Sequence, residues 1–544
     1  MKKYLNTYFK RDFNKWTILS LSIIVFIALP IVTILVKLFH GPGELWPHLV
    51  EHVLKDYITS SLILIVFCTI FTFIIGVSCA WLVSRYVFPF RKFIEWMLIL
   101  PLAIPSYITA YAYAGVFDYG GSLKNILSTF NISYKKIDIM NIYGLIFILS
   151  LSLFPYIYVS ARAVFLYQSK KLIEASKNLG ASEISTFFRI VLPVARPAIV
   201  GGIALMLMEV LNDYGAAKYY GVSTFTTGIF RSWFSLGEPG LAIYLSALLL
   251  LVIFSILYLE RLQRRKKGYA ISGKSDTPLT KIKLTRAKQI ALTVITCSPI
   301  LLGFLIPVLQ LIYWSLLTYK EVASYSFFIT ALQSLGVSTI AALLTIIIAL
   351  ATLFFPKWNR ISGIKSLSKI TIVGYAIPGA VIAIGVMIPG LALNKWLVKL
   401  ANNLFNIELG LFLSETITLL LYAYIIRFLA VAYNPIEGSF KNVNKSVSES
   451  SRILGKNNLK TFFKIEMPLI KPGIISAFIL VFVDIMKELP LTLILKPYNI
   501  NTLAVKAYEY ASDEQIMEAA LPSICIIITG IIPIIILNKL ILKS

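Results

Sequence analysis

Apolar runs close to twenty residues long recur along this chain, and polar segments rich in Lys and Arg punctuate alternate gaps between them. A helix rises 1.5 Å per residue, so each run can cross a hydrocarbon layer about 30 Å thick. Twelve helices are predicted, near residues 17-38, 59-83, 94-116, 141-165, 198-215, 241-260, 289-312, 329-354, 368-390, 411-433, 473-495 and 519-538. Pro101, Pro105, Pro155, Pro378 and Pro522 fall inside or beside them. Neighbouring helices can satisfy the carbonyls that such prolines free.

The pattern occurs twice. Glu174-Ala175-Ser176, Gly180, Pro193 and Pro197 return 275 residues later as Glu449-Ser450-Ser451, Gly455, Pro468 and Pro472, and Thr186-Phe187-Phe188 returns as Thr461-Phe462-Phe463. At an offset of 273, Ala103-Ile104-Pro105 matches Ala376-Ile377-Pro378 and Ser61-Leu62 matches Ser334-Leu335. The expected layout is a first repeat over 1-265, with a loop unit near 170-195, a basic linker over 266-288, and a second repeat over 289-544 with its loop unit near 445-470. Six helices return the chain to its starting side, so the repeats should be parallel, related by an axis along the membrane normal with a pathway between them. The predicted class is an all-α polytopic membrane protein.

Composition supports this reading, with 58% hydrophobic residues, 14% charged residues and a mean hydropathy of +0.80. The net charge of +25 could suggest nucleic acid. Its placement in alternate loops, as in Arg85, Arg91 and Lys92 or Arg261, Arg264 and Arg265, is instead the positive-inside pattern. Both termini and both repeated loops are then cytoplasmic, and lipid is the partner the surface meets. The first apolar run lacks a small-residue cleavage site and reads as a retained helix. Cys68, Cys79, Cys297 and Cys525 sit in apolar runs without ligand spacing and read as packing residues.

In each loop unit an amphipathic helix is expected before Gly180 or Gly455. The glycine then permits a turn that a side chain would resist, and Ser182 can cap the next helix. Two short helices projecting from a membrane suit docking into a partner's groove. The pattern Glu-Ala-Ser, then Gly, then Ile190-Val191-Leu192-Pro193 resembles the coupling loop of membrane subunits of binding-protein-dependent ABC importers. That resemblance implies a type I importer fold, contact with two separate ATP-binding cassette subunits through Glu174, Ala175, Gly180, Pro193, Glu449, Ser450, Gly455 and Pro468, and ATP with Mg on those subunits. The chain itself is then a non-catalytic subunit without a cofactor. Residues 268-275, Gly-Tyr-Ala-Ile-Ser-Gly-Lys-Ser, match a P-loop formally, but the strand and helix that a phosphate cradle needs are not predicted around them.

Glu209 and Asp213 lie four apart in the fifth helix, and Asp484 and Glu488 recur at the same offset in the eleventh. Spacing of four puts each pair on one helical face, and carboxylates in a membrane must face the bundle interior, water or a cation. They could line a pathway or gate with transient contacts to a hard cation such as Fe(III), or form an ion network with Lys218 and Lys487. Arg231, Trp233 and Glu238 match Lys506, Tyr508 and Asp513. These six could receive a soluble binding protein or act as interfacial anchors. His40, His48 and His52 share one outer loop but lack a complete ligand set.

Several segments are similar to ferric-iron permeases: Leu100 to Tyr107, Phe117 to Gly121, Glu209 to Gly215, Lys487 to Thr492 and Tyr508 to Glu514. This resemblance implies an Fe(III) importer of a bacterial inner membrane, served by an extracytoplasmic ferric-binding protein. Fused importers for thiamine share the architecture, and polyamine or phosphonate cargo stays open. A secondary carrier or a membrane enzyme would lack the repeated loop.

Overall fold

The computed structural model describes residues 15–133, 137–166, 170–265, 281–358, 362–405, 410 and 412–543. Among them nine helices are long and apolar enough to cross a membrane, and two further bent pairs raise the number to eleven. A shorter apolar stretch, Ala520–Pro533, opens the last helix. Every predicted apolar run is met by one of these elements, in an all-α polytopic fold of two repeated halves. The P-loop-like segment 268-275 lies outside the described residues.

Packing divides the chain differently from the repeat. One compact unit is Met1–Pro42 with Ser324–Lys506; the other is Gly43–Ala323 with Ala507–Ser544. In the first unit the opening helix Lys15–Lys37 lies against Gly379–Phe405 and the 3-10 segment Ser368–Ala376. Trp16 meets Trp358 edge-on with ring centroids 4.6 Å apart, and the Tyr422 hydroxyl donates to the Phe26 carbonyl. Gly385 allows this approach, since a Cβ there would stand 2.8 Å from the Pro30 carbonyl oxygen.

In the second unit Leu54–Arg85 packs along Ile142–Leu166, where Gly76 brings the backbones together. This unit also takes in Arg286–Val322, the start of the second repeat: Tyr113 donates its hydroxyl to the Leu302 carbonyl at 2.6 Å. The final helix Ala520–Lys543 joins it through Gly530 against Ala103. Each unit therefore combines the body of one repeat with an opening helix of the other. Membrane helices associate through close packing and hydrogen bonds more than through hydrophobicity, and apolar content alone does not encode that partner choice.

Five predicted helices are interrupted, the tenth between Phe412–Glu415 and Thr418–Lys441. Residues 94-116 become Arg91–Met97, a 3-10 turn Leu100–Ala103 and Ser106–Phe117, with a 94° bend at the break. Ile104 is extended (φ −100°, ψ 119°) because Pro105 follows it, and Ile377 before Pro378 is likewise extended (φ −89°, ψ 130°). The ninth run accordingly divides into Ser368–Ala376 and Gly379–Phe405. The fifth ends at Asn212 and restarts at Gly215, and the eleventh ends at Met486 and restarts at Pro490.

Candidate functional site

The two loop units are built alike, atom for atom in several places. Helix Lys170–Asn178 ends before Gly180 at φ +83°, and Lys445–Ile453 ends before Gly455 at φ +78°. Left-handed backbone of this kind favours glycine. Ser182 then accepts from Ser185 N at 3.2 Å, while Asn457 accepts from Lys460 N at 2.8 Å, so each second helix has its own cap. The two arms are tied by Ser176 Oγ to Thr186 Oγ1 (2.8 Å) and by Ser451 Oγ to Thr461 Oγ1 (2.9 Å). A π-helical turn follows in both copies, Phe187–Val191 and Phe462–Glu466.

Adjacent phenylalanines point in opposite senses. Phe187 packs on Trp81 (5.2 Å) and Phe165 (6.3 Å), and its counterpart Phe462 packs on Phe354 (4.3 Å), which meets Phe440. Trp81, Phe165 and Phe187 correspond to Phe354, Phe440 and Phe462 at the repeat offsets, so one aromatic trio anchors each unit. Phe188 and Phe463 are 61% and 59% exposed, and Leu179 and Leu454 are 88% and 78% exposed. Glu174, Ala175, Pro193, Glu449, Ser450 and Pro468 are exposed as well. Ion pairs brace the backs: Arg85 to Glu183 at 3.1 Å in one copy, and Lys357 to the buried Glu466 at 2.7 Å in the other. Residue spacing in the loop revealed its helices, while the aromatic anchors required aligning the helices beyond it.

The acidic pairs do not lie on single helical faces. Asp213 and Glu488 sit in the helix breaks, where each caps the next short helix. Asp213 Oδ1 accepts from Ala217 N at 3.0 Å, and the Ser106 hydroxyl donates to its other oxygen. Glu488 Oε1 accepts from Leu491 N at 3.1 Å, and Oε2 lies 3.2 Å from Arg427 Nε. Glu209 remains half-buried on Leu192–Asn212, and Asp484 pairs with Lys487 at 2.9 Å. Of the two lysines expected in an ion network, Lys487 is engaged and Lys218 has no ion pair among the described residues. Among the described residues no three carboxylate, thiol or imidazole groups gather closely enough to hold a metal ion.

Ser106 and Gly379 are repeat counterparts, and each meets the capping carboxylate of its own unit. A Cβ at Gly379 would stand 2.5 Å from Glu488 Oε1 and 3.1 Å from Leu491 N. Gly379→Ala is therefore expected to cost about 1–3 kcal/mol of stability through overpacking. Thermal unfolding of the purified complex checks this; an unchanged midpoint would show that Glu488 can swing aside.

Of the six outer residues, Arg231 and Asp513 are exposed and Trp233, Glu238, Lys506 and Tyr508 are half-buried. The Tyr508 hydroxyl is 3.1 Å from that of Tyr214, inside its unit. The rings of His48 and His52 lie tilted to one another with centroids 4.6 Å apart, and His52 lies 3.8 Å from Glu51; the side chain of His40 lies outside the described part.

Two stretches, residues 72–268 and 359–544, match the family described as binding-protein-dependent transport system inner membrane component. The Fe(3+)-transport system permease protein of Haemophilus influenzae is 28% identical over 490 residues, covering 89% of this chain and 90% of that protein. A probable ABC transporter permease of Sinorhizobium fredii is 22% identical over 451 residues, 79% of this chain and 76% of its own. The molybdate/tungstate transport system permease of Methanocaldococcus jannaschii is 30% identical over 200 residues, 37% of this chain and 75% of that protein. With one family match in each repeat and the same loop unit built twice, this multi-pass chain belongs to the binding-protein-dependent ABC-importer permeases, the non-enzymatic membrane components that work with ATPase subunits and a binding protein.

Proposed function

We propose that this chain forms the translocation pathway of an ATP-driven Fe(III) importer in a bacterial inner membrane, with both termini cytoplasmic. The observation that carries the cargo is the likeness to the Haemophilus influenzae Fe(3+) permease, which runs through both repeats and 89% of the chain. The molybdate/tungstate relative matches only 37% of it. An extracytoplasmic ferric-binding protein delivers the metal, and Arg231, Trp233, Glu238, Lys506, Tyr508 and Asp513 are the residues assigned to its reception.

Two ATPase subunits seat the loop units around Glu174 to Gly180 and Glu449 to Gly455. When ATP draws those subunits together, each rigid loop unit passes the displacement through its aromatic trio into the helices behind it. The pathway then opens alternately to the two sides. Asp213 and Glu488 hold the broken helices in shape, and the half-buried Glu209 and Asp484, the latter paired with Lys487, are the carboxylates assigned to a hard cation in transit.

Reconstituted uptake with ferric, thiamine and polyamine cargoes, each with a matching binding protein, tests the assignment. ATP-dependent uptake of Fe(III) alone is expected. Glu209→Gln combined with Asp484→Asn is expected to lower Fe(III) uptake about tenfold, the worth of one charge-assisted contact, while the complex still assembles and hydrolyses ATP. Uptake of thiamine but not Fe(III) would replace the cargo; normal uptake by the double variant would remove these carboxylates from the pathway.

A further inference from the structure

We propose that a cavity in the second unit, walled by Tyr57, Tyr214, Lys218, Ser223, Thr227 and Arg231, binds a small oxyanion or carboxylate. The cavity holds about 290 Å3, and its lining carries two cationic side chains and no carboxylate. Lys218 and Arg231 are exposed, while Tyr57 and Tyr214 are 3% and 8% exposed, so the space runs from charged groups inward to phenols. No ion pair engages Lys218 or Arg231 among the described residues. Two like charges lining one cavity repel each other, and an anion bound there offsets that repulsion and adds charge-assisted hydrogen bonds.

The walls are fixed in place. Gly221, at φ +67°, turns the chain after Lys218 and leads into Ser223. Thr224 and Thr227 form a reciprocal cap on Phe225–Phe230, which sets the position of Arg231 immediately after it. Tyr57 packs on Gly228, where a Cβ would stand 2.5 Å from its ring, and Tyr214 stacks on Phe230 at 3.6 Å. Asp213, the nearest acid in sequence to Lys218, is occupied by Ser106 and by Ala217 N. In the second repeat the counterparts of Lys218, Ser223 and Arg231 are Leu493, Tyr498 and Lys506, and Lys496 stands at the position of Gly221.

The site is independent of the Fe(III) assignment, because it is measured without metal. Inorganic phosphate binding to the full complex in lipid nanodiscs is measured by equilibrium dialysis, with sulfate, bicarbonate and citrate as competitors. Saturable one-site binding is expected. Lys218→Leu, which installs the residue of the second repeat, is expected to weaken it about tenfold, and Lys218→Arg to keep it. Failure of all four anions to bind the parent complex, or equal binding by Lys218→Leu, overturns the proposal. If no anion binds and Lys218→Leu weakens only the association with the binding protein, the cavity is a seat for a carboxylate of that protein, and the proposal fails.

Discussion

Phe188→Ala together with Phe463→Ala is expected to release the ATPase subunits while leaving the chain folded. Both rings stand out from the loop units, at 61% and 59% exposure, so their removal takes little from the chain's own packing. Seated in a partner's groove, a phenylalanine contributes about 1.5–3 kcal/mol when fully buried. Two of them contribute roughly 3–6 kcal/mol, or about two to four orders of magnitude in association. Co-purification of the ATPase subunits with parent and variant reads the effect, and thermal unfolding of the variant chain reads the control. The neighbouring pair gives the opposite signature: Phe187→Ala with Phe462→Ala empties both aromatic trios and should lower stability before it lowers association. If the exposed pair can be removed with assembly and ATP-coupled transport intact, the loop units are not the seat of the ATPase subunits.

The repeated architecture was legible because it rests on local chemistry written twice. A glycine that must turn left-handed, a polar cap two residues later and a pair of prolines at fixed spacing carry the same instruction at Gly180 and Gly455 wherever the loop lies. Helix interruption was less legible. The polar steps Asn212-Asp213 and Lys487-Glu488 are short enough for one continuous helix to carry, and only the capping bonds to Ala217 N and Leu491 N reveal that the carboxylates end one helix and begin another. Spacing of four suggested a shared helical face, yet Asp213 has ψ 120° and lies beyond the helix that carries Glu209. Packing partners of the opening helices were not legible at all. The apolar surface of Lys15–Lys37 would suit either repeat, and the choice rests on contacts such as Pro30 against Gly385 that no sequence period announces.

Arg427→Met is expected to destabilise the protein by about 3–5 kcal/mol, the cost of leaving one member of a buried ion pair without the other. Arg427 and Glu488 have side chains only 4% and 6% exposed, with Nε and Oε2 3.2 Å apart, and Arg427 also donates to the Ile377 carbonyl at 2.6 Å. That carbonyl precedes Pro378, so one guanidinium joins two helix breaks of its unit. The first repeat solves the same problem without a cation: Ser152 stands at the position of Arg427, and the Ser106 hydroxyl serves Asp213. A neutral arrangement should therefore be tolerated in the second repeat once both charges are removed. Arg427→Met with Glu488→Gln keeps an oxygen to cap Leu491 and should regain most of the lost stability. Thermal unfolding of the single and double variants yields the coupling directly. A single variant as stable as the parent would show that the ion pair has no part in holding the broken helices together.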